Sequence, residues 1–169
     1  MKPFRKDSNY AVRTLVFIAQ YGRNEPVSST FVSESLGIPK NFLRRIFSKL
    51  IKAGFLEAKE GARGGVLLAK SPEEITVGQI VLLLQGGVKM CNCFHDREQC
   101  DEWESCILRE RIMHVEGLIL AEFEQMTIQS LMDDLAESPM LLDRQDGAHA
   151  NGPPLRIVKD LHHNSKVRR

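Results

Sequence analysis

VSSTFVSESLGIPKNFLRRIFSKLIKAGFLEAKEGARGGVLLAK, residues 27–70, carries the fold of this chain. Ser28 or Ser29 is placed to cap a helix whose inward residues are Phe31, Val32 and Leu36. Gly37 follows where a helix end turns left-handed. Ile38 then fills the turn, and Pro39 falls in the first turn of the next helix, where a missing N–H is harmless. That second helix is expected to run to about Ala53, with Leu43, Ile46, Phe47, Leu50 and Ile51 inward. Helix, glycine turn, helix is the helix-turn-helix pattern. Its other face displays Lys40, Asn41, Arg44, Arg45 and Ser48, residue types that meet phosphates and base edges. A solvated basic face on a plain helical hairpin would read the same way. The next residues, FLEAKEGARGGVLLAK, separate the two: they form two short strands around a glycine-rich tip, with Lys59 and Arg63 supplying cations there. A hairpin behind a helix-turn-helix makes a winged helix. A phosphate-binding glycine loop is the rival reading, but no P-loop or dinucleotide fingerprint is present.

Outward from this stretch, NYAVRTLVFIAQY (residues 9–21) reads as a helix with Ala11, Leu15, Ile18 and Ala19 on one face and Asp7 or Ser8 as cap. On the other side, Ser71-Pro72 opens a helix that buries Val77, Ile80, Val81 and Leu84 and stops at Gly86-Gly87. The longest helix is expected from about Cys106 to Gln125, with an apolar stripe of Leu108, Ile112, Val115, Ile119, Phe123 and Met126. No later segment is long enough to cover that stripe, which points to a second copy of the chain across it. Thr127 caps a last short helix, IQSLMDDL. Residues 137–169 lose periodicity and read as a disordered tail with a basic end.

Charge is divided rather than large. The net value is +1, yet residues 39–70 hold eight Lys or Arg against Glu57 and Glu60, while residues 91–146 hold fourteen acids against four bases. A basic module ahead of an acidic one implies a polyanion partner for the first. The opening MKPFRKDSNYAV lacks an apolar signal core and no apolar run approaches membrane-spanning length, so a cytoplasmic protein without membrane attachment is expected. No nucleophile–base constellation is visible, which argues against an enzyme.

All four cysteines, Cys91, Cys93, Cys100 and Cys106, crowd into one acidic segment, MCNCFHDREQCDEWESC (residues 90–106). In a reducing compartment such a cluster reads as an iron–sulfur site, a zinc site or redox-active thiols rather than structural disulfides. Soft thiolates suit iron–sulfur ligation. The spacing matches paired zinc knuckles poorly, although His95 and His114 are further donors for zinc. Trp103 is expected to pack the loop against the long helix.

The order of parts resembles the IscR/NsrR/RirA-type family of dimeric winged-helix transcription regulators: the NYAVRTLVFIA helix, LGIPKNFLRRIFSKLIKAGFLEA, the wing GARGGVLLAKSPEEITVGQI, a cysteine loop and a long helix ending MTIQSLM. The resemblance covers residues 1 to about 136. It implies a homodimer on a palindromic double-stranded DNA operator and an iron–sulfur cluster, [2Fe-2S] or [4Fe-4S], that senses iron, nitric oxide or redox state. It maps the three ligands onto Cys93, Cys100 and Cys106, leaving Cys91 or Asp7 as candidates for the fourth. Arg109 stands where one subgroup has a ligating histidine, and Asn9 where another has a carboxylate from the other subunit; Glu60 precedes Gly61 where the common wing begins with arginine.

The combined reading is a mainly α protein with a small β-hairpin. Residues 1–88 form a winged helix-turn-helix, 89–106 a cysteine-rich cluster loop, 107–136 a dimerisation helix with a short return helix, and 137–169 a tail. Asn41, Arg44 and Arg45 would read a major groove, Lys40 and Lys49 would hold phosphates, and Lys59 and Arg63 would place the wing on backbone or minor groove. Zinc-binding or metal-free thiol regulators are the alternatives, as is a non-regulatory metalloprotein using the winged helix to bind protein.

Overall fold

The structure is a computed structural model that describes residues 4–22, 25–61, 64–99 and 102–137. Within them the chain runs α1 (Lys6–Tyr21), α2 (Ser29–Leu36), α3 (Lys40–Lys52), β1 (Leu56–Lys59), β2 (Gly65–Leu68), α4 (Val77–Gln85), α5 (Arg109–Gln125) and α6 (Ile128–Glu137). Mainly helical, with one antiparallel hairpin, this is the expected class.

Helix α1 is the hub. Its buried residues Tyr10, Ala11, Leu15, Val16, Phe17 and Ile18 surround more than one face. It packs against α2, α3, α4, α6 and β2, which a helix polar on one side could not do. It starts earlier than the sequence suggests, and neither Asp7 nor Ser8 is its cap. Arg5 occupies the N-cap, and its backbone N–H donates to Oε1 of Gln85 at 3.0 Å. The Ser8 hydroxyl, fully buried one turn further in, donates to the same oxygen at 2.8 Å. The cap is supplied from the end of α4, so a local reading of residues 5–9 has no access to it.

The helix-turn-helix forms as read. Ser28 caps α2 by accepting the Phe31 N–H at 3.2 Å, and Gly37 takes the left-handed turn with φ 62°. The Ser33 hydroxyl donates to the carbonyl of Ile38 across the turn at 2.7 Å. Pro39 is the N-cap of α3 rather than a residue of its first turn. Leu43, Ile46, Phe47 and Leu50 face the core, while Phe31 stays 41% exposed and packs on Phe17 and Tyr21. In the wing, Leu56 pairs with Leu68 and Lys59 with Gly65. Val27 adds a bridge to Val66. A Cβ at Gly65 would stand 2.4 Å from the Val27 carbonyl oxygen, so that bridge requires glycine.

The helix expected from Ser71 is divided. Pro72–Glu74 is a single 3-10 turn with its own capping box from Ser71 and Glu74, and Thr76 caps α4 separately by accepting the Gln79 N–H at 3.1 Å. Ile75, fully buried between them, breaks the helical run. Likewise α5 begins at Arg109, with residues 106–108 outside it, so Cys106 precedes the long helix instead of opening it. Helix α5 lies on α4 through Ile119, Leu120 and Phe123, with Met126 just beyond its end, around buried Val77, Val81 and Val88. Thr127 caps α6, accepting the Ser130 N–H at 2.9 Å. The tail beyond Glu137 lies outside the described residues.

Gly78 sets the α4–α5 spacing, because a Cβ there would meet Glu124 at 2.5 Å from its side chain and 3.0 Å from its backbone nitrogen. Gly78→Ala should therefore force the helices apart and lower unfolding stability by about 1–3 kcal/mol in urea titration. Stability equal to the parent's would mean that the two helices are not packed this closely.

Candidate nucleic-acid interface and cysteine loop

The exposed face of α3 carries Lys40, Asn41, Arg44, Arg45, Ser48 and Lys49 together, opposite the buried stripe. The Arg45 guanidinium lies 4.9 Å from the centre of the Phe42 ring, so it is held against the helix rather than fully loose. Lys59 stands on the wing and pairs with Glu57 at 2.9 Å, both side chains about half exposed. Its charge is partly answered already, which weakens it as a phosphate contact. Arg63 lies outside the described residues.

The cysteine segment follows α4 as two short 3-10 turns, Asn92–Phe94 and Arg97–Gln99, before α5. Cys91, Cys93 and Cys106 are half-buried thiols; Cys100 lies outside the described residues. The Cys91 and Cys93 sulfurs are 3.0 Å apart. Hydrogen bonding from the Cys93 side chain, and then from its backbone, holds the Cys91 thiol below the ordinary thiol range. Among the described residues, no group of three or more Cys, His, Asp or Glu is gathered as a ready metal site.

The loop is tied to α5 by a group that the sequence reading missed. Glu116 is the buried residue of α5. One of its carboxylate oxygens takes the Met90 backbone N–H at 2.5 Å, and the other sits 2.6 Å from Nε2 of His95. A buried carboxylate needs such partners. The only sequence signal was an acid within the apolar period of a helix, which by itself reads as a solvated position. His95 is thus a structural partner, whereas His114 is exposed. At the other end of the loop the Arg109 guanidinium stacks on Trp103, 3.9 Å from the ring centre. Trp103 accordingly secures the start of the long helix, close to what was expected of it. Asp7 lies elsewhere within the chain, in a basic crevice with Arg45 and Lys49, and is joined to Arg5 at 3.4 Å.

The apolar stripe expected to await a second copy is divided: Ile119, Phe123 and Met126 are covered by α4, while Met113, Val115 and Leu118 (57%) of α5 and Leu108 (56%) just before it are exposed. None of the described helices is long and apolar enough to cross a membrane.

A winged helix-turn-helix with a cationic face, joined through a thiol loop to a long helix with exposed apolar side chains, defines a class of transcriptional regulator. Comparison with known proteins gives the family: residues 4–134 match the Rrf2 model, described as an iron-dependent transcriptional regulator, and the chain belongs to that family. The HTH-type transcriptional regulator IscR of Aliivibrio salmonicida is 31% identical over 145 residues, 85% of each chain. The HTH-type transcriptional regulator NsrR of Bacillus licheniformis is 28% identical over 126 residues, 74% of this chain and 88% of its own. Among solved structures, T. potens IscR superposes with a TM-score of 0.67 at 25% identity, covering 80% of this chain and 90% of that one. CymR of B. subtilis, at 20% identity and TM-score 0.63 over 79% of this chain and 98% of its own, shares the fold.

Removing the Glu116 carboxylate should free the loop. Glu116→Ala is expected to cost about 1–3 kcal/mol, because the Met90 N–H and His95 lose their buried partner. Limited proteolysis should then cut between Met90 and Cys106 faster than in the parent. Unchanged cleavage there would show that the loop is held by something else.

Proposed function

We propose that this Rrf2-family transcriptional regulator acts as a homodimer on a palindromic operator, with binding controlled by an iron–sulfur cluster in the cysteine loop. The observation that carries this reading is the Glu116 tie: it couples the loop that bears the thiols to a helix whose Met113, Val115 and Leu118 are exposed. Cys93, Cys100 and Cys106 would hold the cluster, with Cys91 as a further thiol donor. The described donors fit in kind: half-buried thiols, one with a lowered pKa, next to a backbone fixed at Met90. When bound, a cluster supplies a centre whose charge and ligation change with redox state or iron supply. Arg109 cannot stand in for a fourth ligand, since a guanidinium offers no lone pair and is stacked on Trp103. Against zinc stands the spacing of the thiols, which matches paired knuckles poorly.

In this account Asn41, Arg44 and Arg45 enter the major groove, Lys40 and Lys49 hold phosphates, and the wing residues Lys59 and Arg63 reach the backbone or minor groove. A second copy covers Val115 and Leu118 of α5 and Leu108 just before it, and two-fold symmetry sets half-sites one or more helical turns apart. Loop order then changes the relative placement of the two reading heads. A coupling of ~1–3 kcal/mol corresponds to a 5–150-fold change in operator affinity. A metal-free thiol switch is the second reading, favoured by the 3.0 Å approach of Cys91 and Cys93.

Protein purified without oxygen tests the cofactor. Broad absorption near ~400 nm with matching iron and acid-labile sulfide is expected for a cluster. A colourless sample carrying stoichiometric zinc, or no metal, would overturn the cluster reading, and the second of these would favour the thiol switch. For the interface, Arg44→Ala and Arg45→Ala should each weaken operator binding by about 1–3 kcal/mol and relax specificity at one base pair. Parent-like binding of both variants to operator and random DNA would remove α3 as the reading element.

A further inference from the structure

A crevice of about 460 Å3 opens beside α3, between the start of α1 and the end of α4. Phe42, Ile46 and Leu84 form its floor. Arg5 and Lys6 reach it from α1, and Arg45 and Lys49 from α3. Asp7 is the one acid in the lining, and Arg5 already engages it at 3.4 Å. Four cations against one carboxylate leave the crevice strongly positive. Like charges from separate elements repel unless an anion comes between them.

Placement on α3 says where that anion comes from. Residues 42, 45, 46 and 49 form the stripe that faces α1, whereas Lys40, Leu43, Arg44 and Phe47 face α2, lining a second crevice with Ser29 and Thr30. The helix is thus flanked on both sides by polar crevices, with Asn41 and Ser48 between them. A helix lying in a major groove has one sugar–phosphate strand on each side.

We propose that Arg5 and Lys6, closing toward Lys49, form a clamp for a DNA backbone phosphodiester on the α1 side of the groove, with Arg45 at its inner edge turned to the bases. This rests on the DNA-binding reading of α3 and extends the interface to α1, which carried none of the residues assigned to DNA from the sequence. The Arg5 side chain is 55% exposed, so it can leave Asp7 for a phosphate. Because the α1 tie to Gln85 runs through the Arg5 backbone N–H, the side chain can be removed without losing that tie.

Phosphate contacts fix register but carry no sequence information. An Arg5→Ala/Lys6→Ala double variant should therefore lose affinity for operator and random DNA by the same factor, on the order of tenfold, with a salt dependence shallower by roughly two released ions. An Arg5→Lys/Lys6→Arg variant, which keeps both charges, should restore the parent slope. Circular dichroism matching the parent's would confirm the fold in each. Parent-like affinity and slope in the alanine variant would overturn the clamp, as would a loss confined to the operator. Replacing chloride by inorganic phosphate at fixed ionic strength separates the two sources of phosphate. Inhibition of the parent by phosphate with an unchanged slope in the alanine variant would make the crevice a free-anion site and also overturn the proposal. If the parent bound no DNA at all, the DNA-binding reading would fall first and take this one with it.

Discussion

The described fold hangs on the burial of α1. Its side chains Ala11, Leu15 and Ile18 are almost wholly removed from solvent, and each buried Leu or Ile contributes on the order of 1.5–3 kcal/mol. One helix serves as the inner wall for the helix-turn-helix, the wing and α4 alike. Its start is pinned by Gln85, the last residue of α4, just before the chain turns at Gly86 toward the cysteines. The Gln85 side-chain amide also donates to the Gly87 carbonyl at 3.0 Å, so the residue that anchors α1 is bonded to the start of the segment leading to the cysteines.

The second constraint is electrostatic and lies in α5. A carboxylate buried to 5% exposure is tolerated because Glu116 finds a backbone N–H and an imidazole, both contributed by the loop. This makes the loop and the long helix one unit. The thiols are thus tied to the helix that, in the proposed dimer, meets the second copy.

Much of the fold was legible in the sequence. Gly37 and Pro39 framed the turn, Ser28 capped α2, and the period of Leu43, Ile46, Phe47 and Leu50 turned the cations of α3 outward, all from spacing within a few residues. What escaped the reading depends on partners far along the chain. The start of α1 was missed because its cap comes from Gln85, and the split at Ile75 because that residue is buried against α6 rather than within a helix. Glu116 and His95 stand 21 residues apart, and neither lies in a motif. Charge counting located a basic module but not the crevice to which Arg5 and Lys6 contribute, since those residues sit far from α3 in sequence.

The central claim is that the state of the cysteine loop sets the affinity of α3 for DNA. It is tested most directly by measuring operator affinity, at one salt concentration and without oxygen, for the parent and for a Cys93→Ala/Cys100→Ala/Cys106→Ala variant of confirmed fold. The two affinities should differ by at least fivefold, in either direction, with equal binding to random DNA. Equal operator affinity would contradict it and leave a winged-helix regulator whose cysteines do not control its DNA.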